Sequence, residues 1–166
     1  MLVGPRGWTC SAAYGADGSG GVIAYPKGET VPESWGAAWL LSPPSSDEAI
    51  SGAETGGSPV QAAAEACGYF LDAATATLND LGHGCPGRPS SESIDEISTD
   101  VVGFEDPPGV SGEGTPSGGE DPANGVITYS SSLSPGSYRS TCTLPARQHP
   151  LCTASLDEFV AQYENM

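Results

Sequence analysis

Ser58-Pro59-Val60-Gln61-Ala62-Ala63-Ala64-Glu65-Ala66-Cys67-Gly68-Tyr69-Phe70-Leu71-Asp72-Ala73-Ala74-Thr75-Ala76-Thr77-Leu78-Asn79-Asp80-Leu81-Gly82 is the strongest helical signal in the chain. Ser58 has the side chain to cap the first turn, Pro59 suits the first helical position, and Gln61 completes a capping-box spacing. Val60, Ala63, Ala64, Cys67, Phe70, Leu71, Ala74, Leu78 and Leu81 recur every three to four residues, so they form one apolar stripe. Gly82 is a natural stop. The reading is one long helix with Cys67 on its inward face, hence buried and paired.

Outward from this helix the pattern changes period. Residues 7–14 read as a strand, residues 15–21 as a glycine-rich turn, and Val22-Ile23-Ala24-Tyr25 as a second strand ended by Pro26. Val101-Val102-Gly103-Phe104 and, preceded by Gly125, Val126-Ile127-Thr128-Tyr129 read as strands on either side of a long acidic Gly/Pro loop over 105–125. The second of these repeats the Gly-Val-Ile-x-Tyr of residues 21–25, which two strands with equal burial needs would share. Residues 138–144 read as another strand. A closing helix follows, with Pro150 in its first turn and Cys152, Leu156, Phe159, Val160 and Tyr163 on one face. The expected fold is therefore α+β. It has a small antiparallel sheet with wide Gly/Pro-rich loops, one long helix and a C-terminal helix, in a single secreted domain over residues 1–166.

The supply of large apolar groups is thin. Leu, Ile, Val and Phe together number 27 of 166 residues, below the roughly 20% at which a highly charged chain is suspected of disorder. Gly and Pro together number 38, which marks a loop-rich backbone whose ordering entropy burial must outweigh. Disulfides are the usual remedy in small secreted domains. The five cysteines, Cys10, Cys67, Cys85, Cys142 and Cys152, thus point to an oxidising, extracytoplasmic compartment.

Sequence proximity favours Cys67–Cys85 and Cys142–Cys152, leaving Cys10 either buried or paired with another chain. The rival scheme joins Cys10 to Cys67 and Cys85 to Cys142 and frees Cys152. Each loop closure is worth roughly 3 kcal/mol.

A net charge of −16, with Lys27, Arg6, Arg88, Arg139 and Arg147 as the basic residues, repels nucleic acid and anionic lipid. It favours solubility and a basic protein or cell-surface partner. No stretch reaches the roughly 18 apolar residues of a membrane span, so no membrane insertion is expected. Residues 1–6 lack the apolar run of a signal peptide, so a secreted chain would be in its mature form.

Motifs for chemistry are missing: there is no C-x-x-C, H-E-x-x-H, G-x-S-x-G or phosphate-binding loop. His83 and His149 read as a turn residue and a helix-start residue. Glu105, Asp106, Glu113, Glu120, Asp121 and Asn124 lack a calcium-loop frame and read as a solvated charged loop. Trp35 and Trp39 read as core in preference to a sugar-stacking platform. No catalytic residue, metal ligand or cofactor site is assigned. The candidate interaction loops are those carrying Gly87 and Arg88, and Glu113, Glu120 and Asp121.

Residues 2–10 (LVGPRGWTC), 104–110 (FEDPPGV) and 116–126 resemble small secreted or lipid-anchored actinobacterial domains of unknown function. That resemblance implies no activity. Cys10, the alanine-rich stretch from Pro59 to Cys67, and Cys85-Pro86-Gly87-Arg88 are in turn similar in order to subtilisin-inhibitor-like secreted proteins. This second resemblance implies the rival disulfide scheme and a reactive loop at 85–89. The expected function is a non-catalytic extracytoplasmic binding or structural domain. The alternatives are a secreted protease inhibitor or immunity-type protein acting on a basic target, and an extracellular hydrolase.

Overall fold

Among the described residues seven strands, all paired antiparallel, form one sheet. The computed structural model describes residues 2–29, 48–85, 90–110, 120–131 and 136–165. Its elements run β1 (Thr9–Tyr14), β2 (Gly20–Tyr25), β3 (Ala49–Thr55), α1 (Pro59–Ala66), α2 (Leu71–Asp80), β4 (Ser93–Ser98), β5 (Val101–Asp106), β6 (Ala123–Ser130), β7 (Gly136–Thr143), a 3-10 turn (Ala146–Gln148) and α3 (His149–Glu164). The sheet order is β1-β2-β3-β7-β6-β5-β4. The chain leaves β3 through α1 and α2, enters β4 at the far edge, and meanders back until β7 pairs with β3.

The sheet is larger than the expected small one. β3 and β4 were not legible as strands. Ala49-Ile50-Ser51-Gly52-Ala53-Glu54-Thr55 is built largely of residues with poor strand propensity, and it is ordered only because β2 and β7 flank it. β4 is a fully exposed edge, Ser93-Ile94-Asp95-Glu96-Ile97-Ser98, whose acids and bulge suit an edge that must not recruit other strands. The loop expected over 105–125 is shorter than read: Glu105 and Asp106 end β5, and Ala123 begins β6. Asp106 is fully buried, not part of a solvated loop.

The long helix is two helices. Its first half begins as expected, with Pro59 in the first turn and the Gln61 N–H donating to Ser58 Oγ at 3.3 Å. It stops after Ala66, where the N–H groups of Tyr69 and Phe70 both donate to the Ala66 carbonyl, at 3.0 and 2.9 Å. Adjacent helix residues point about 100° apart, so a continuous helix could not aim both rings at the sheet. The break at Gly68 lets both point there: Tyr69 packs on Phe104 with centroids 5.6 Å apart, and Phe70 on Tyr129 at 6.0 Å. The same break rotates the second half, which leaves Leu71 63% and Leu81 48% exposed, against the expected stripe. Gly82 does end it, with φ +76°.

Register assigns the layers. Val102, Phe104, Ile127 and Tyr129 lie on one face and form the main core with Ala62, Ala63, Ala66, Ala74 and Leu78 of α1 and α2. Four fully buried alanines let these helices sit close to the sheet, which makes up for the shortage of large aliphatic groups. The opposite face carries Ile50 and Cys142, which form a second core with Leu144, just after β7, and with Cys152 of α3.

The disulfides are Cys67–Cys85 and Cys142–Cys152. The rival pairing, which the inhibitor-like resemblance implied, is not the one present. Cys10 is not buried: it is exposed on the edge strand β1 and makes no disulfide within the chain. Both paired helical cysteines, Cys67 and Cys152, are buried as their faces predict.

Candidate functional site

The Cys142–Cys152 bridge clamps α3 onto the face of the sheet that α1 and α2 leave open. Lying there, the helix leaves a cleft on each side. Both clefts are floored by positions without side chains. Gly20 and Gly52 lie on one side and Gly103 on the other, all on the face that α3 covers by register. A strand-interior glycine costs roughly 0.5–1 kcal/mol relative to alanine. Here the missing side chains create space instead of packing.

The first cleft encloses about 290 Å³ between α3 and strands β2, β3 and β7. Its walls are aromatic: Tyr14 and Tyr138 from the sheet, Phe159 and Tyr163 from the helix. Tyr14 stands 87% exposed over Gly20, its cross-strand partner, where an added methyl group would come within 2.8 Å of the ring. Tyr138 and Tyr163 face each other with ring centroids 6.1 Å apart and planes at 55°. Ser155 and Gln162 of α3 and Glu54 of β3 supply the polar groups.

Glu54 sits directly across the β3–β7 ladder from Tyr138. Burial, then the charge of Glu54 and a hydrogen bond to it, push the Tyr138 hydroxyl above its ordinary pKa. Burial and the charge of Asp100 raise that of Tyr163, against a hydrogen bond with Thr128 that lowers it. Both phenols are thus neutral donors at physiological pH, and each has a carboxylate nearby. Among the described residues no Lys, Arg or His lines this cleft.

The second cleft, about 370 Å³, lies between α3 and strands β4, β5 and β6. Asp95, Glu105 and Asp157 line it with His149, Thr153 and Leu156. His149 Nε2 is buried there without a hydrogen-bond partner among the described residues. Among those residues no group of three or more His, Cys, Asp or Glu side chains is placed to hold a metal ion.

The candidate loop residues fall elsewhere. Glu120 is exposed and Asp121 half-buried in the turn before β6, and neither lines either cleft. Gly87, Arg88 and Glu113, like Trp35 and Trp39, lie outside the described residues. His83 is an exposed turn residue whose N–H donates to the Leu78 carbonyl at 2.9 Å. Sequence reasoning missed Glu54, Tyr138 and Tyr163 as a group. The sequence offered no signal for the group, because its floor glycines, Gly20 and Gly52, stand in a glycine-rich turn and in a segment without strand character.

No protein-family model matches the chain, and comparison with curated proteins and with solved structures finds no match either.

Proposed function

We propose that the chain is a non-catalytic extracytoplasmic binding domain whose ligand occupies the tyrosine-walled cleft. The observation that carries this reading is the convergence of Tyr14, Tyr138, Phe159 and Tyr163 over a floor where Gly20 and Gly52 withhold side chains. Ligand sites are concave, mostly apolar, and fixed by a few placed polar groups. Here the polar groups are phenols, an amide, a hydroxyl and a carboxylate, which suit recognition. Tyr138, Phe159 and Tyr163 are half-buried before any ligand arrives, so part of the ordering cost of binding is already met.

The two disulfides support the extracytoplasmic reading, because such bonds persist where thiols are oxidised. Among the described residues no helix is long and apolar enough to cross a membrane. The net charge of −16 supports a basic partner and disfavours nucleic acid.

The test is a ligand-observed and tyrosine-ring NMR screen with four probes: arginine amide, N-acetylglucosamine, indole and benzoate. At Gly52 an added Cβ would meet nothing closer than 3.8 Å, so Gly52→Leu places a side chain in the cleft without disrupting the strand. At least one probe should shift the rings of Tyr138 and Tyr163 in the natural chain and not in Gly52→Leu. Silence from all four probes, or shifts that survive Gly52→Leu, would overturn the reading.

A further inference from the structure

From the charge and shape of the tyrosine-walled cleft we infer that its occupant is the guanidinium group of an arginine side chain on a basic protein partner. This rests on the cleft being the binding site, as proposed above.

Size comes first. At about 290 Å³ the cleft lies at the bottom of the range for small-molecule pockets, roughly 300–1,000 Å³. It suits one long side chain better than a cofactor. Four residues of α3, Ser155, Phe159, Gln162 and Tyr163, form one wall of it, so a partner segment lying beside that helix could insert one residue.

Charge comes next. Among the described residues the ionisable groups lining the cleft are Glu54 and the phenols of Tyr14, Tyr138 and Tyr163. Glu54 is exposed, and none of the lining residues is a cation that could neutralise it. Asp100 adds a second negative charge beside Tyr163. Burial does most to keep both phenols protonated; the charges of Glu54 and Asp100 add to it, and these same charges attract a cation. The whole molecule adds to it, with 21 acids against 5 bases.

Shape then selects among cations. The ring faces of Tyr138 and Tyr163 are tilted at 55°. A planar guanidinium stacks on such a face and forks onto a carboxylate, whereas an ammonium acts as a point charge. Glu54, directly opposite Tyr138 on the neighbouring strand, is placed to take the fork while the ring takes the stack. A neutral saccharide would use the rings but leave Glu54 without its counter-charge.

The experiment compares two probes that differ only in charge: acetyl-glycyl-arginyl-glycine amide and the same peptide with citrulline, whose urea group is the neutral isostere. Each is titrated into the full chain while the Tyr138 and Tyr163 ring resonances are followed. The arginine peptide should shift both rings, and the citrulline peptide should bind roughly tenfold more weakly, the scale of one charge-assisted hydrogen bond. Glu54→Gln should weaken the arginine peptide by a similar factor. Glu96→Gln, on the exposed β4 edge and the opposite face, should change it less than about twofold, because exposed charges that far apart are largely screened. Equal affinity for both peptides would overturn the inference, as would equal losses in the two variants. If N-acetylglucosamine, indole or benzoate shifts the rings in a Gly52-dependent way and the arginine peptide does not, the inference falls while the binding reading stands.

Discussion

Tyr138 shows how much one residue's environment decides. In sequence it is one more polar aromatic in Gly136-Ser137-Tyr138-Arg139, but the β3–β7 register sets it against Glu54. Its hydroxyl is held above the ordinary value of about 10, first by burial and then by Glu54. A pKa raised on folding contributes stability that is fully present below the unfolded value and lost as pH rises through the folded one. The Tyr138 phenolate absorbance should therefore appear only above pH ~10, with stability declining over that range. In Glu54→Gln the midpoint should move part of the way back, because the burial remains. An ultraviolet titration of the natural chain, the variant and Tyr138→Phe would measure both. Asp17 shifts the other way: the Ser19 N–H donates to Asp17 Oδ1 at 3.0 Å and holds that carboxyl below its usual range. The same turn is tied to the start of α1, since Ser19 Oγ donates to the Gly56 carbonyl at 3.3 Å and Gly57, at φ +73°, packs against the Asp17 carbonyl.

At the scale of elements, legibility followed exposure to local rules. The cap at Ser58, the stop at Gly82, the start of the last helix and the strands of the first hairpin are local chemistry and lie where the residues predict. Ser58→Ala should cost about 1 kcal/mol, read as a lower urea midpoint with an unchanged slope. What failed was the continuity of the long helix and the existence of β3 and β4. The helix breaks because Tyr69 and Phe70 both find rings to pack on, in a sheet that lies later in the chain. The alanines on either side of that break leave no spare room. Ala63→Leu should therefore destabilise the chain by about 1–3 kcal/mol through overpacking, measurable in the same denaturation series. β3 forms because it lies between β2 and β7, a condition no window of residues 49–55 contains.

For the molecule as a whole the cysteines decide both cohesion and redox behaviour. Cys142–Cys152 fixes the helix that walls both clefts. Replacing the pair, Cys142→Ala with Cys152→Ala, should cost about 3 kcal/mol and loosen the tyrosine cleft, so the ring shifts of any cleft ligand should weaken together with the urea midpoint. Cys10 is the accessible thiol: alkylation of the native oxidised chain followed by intact mass should find one adduct, and the site should map to β1. Two or more adducts without reductant would contradict the disulfide assignment.

By itself the sequence determined the local events: the start of α1, the stop after α2, which cysteines are near enough to bridge, which face of the last helix turns inward, and the negative field of the whole. These depend on neighbours within a turn or a loop. Tertiary structure decided the rest. Glu54, Tyr138 and Tyr163 are far apart in the chain and meet only through strand register and a clamped helix. The space they enclose exists because Gly20 and Gly52 contribute nothing to it, and a missing side chain becomes a cleft only when other elements wall it in.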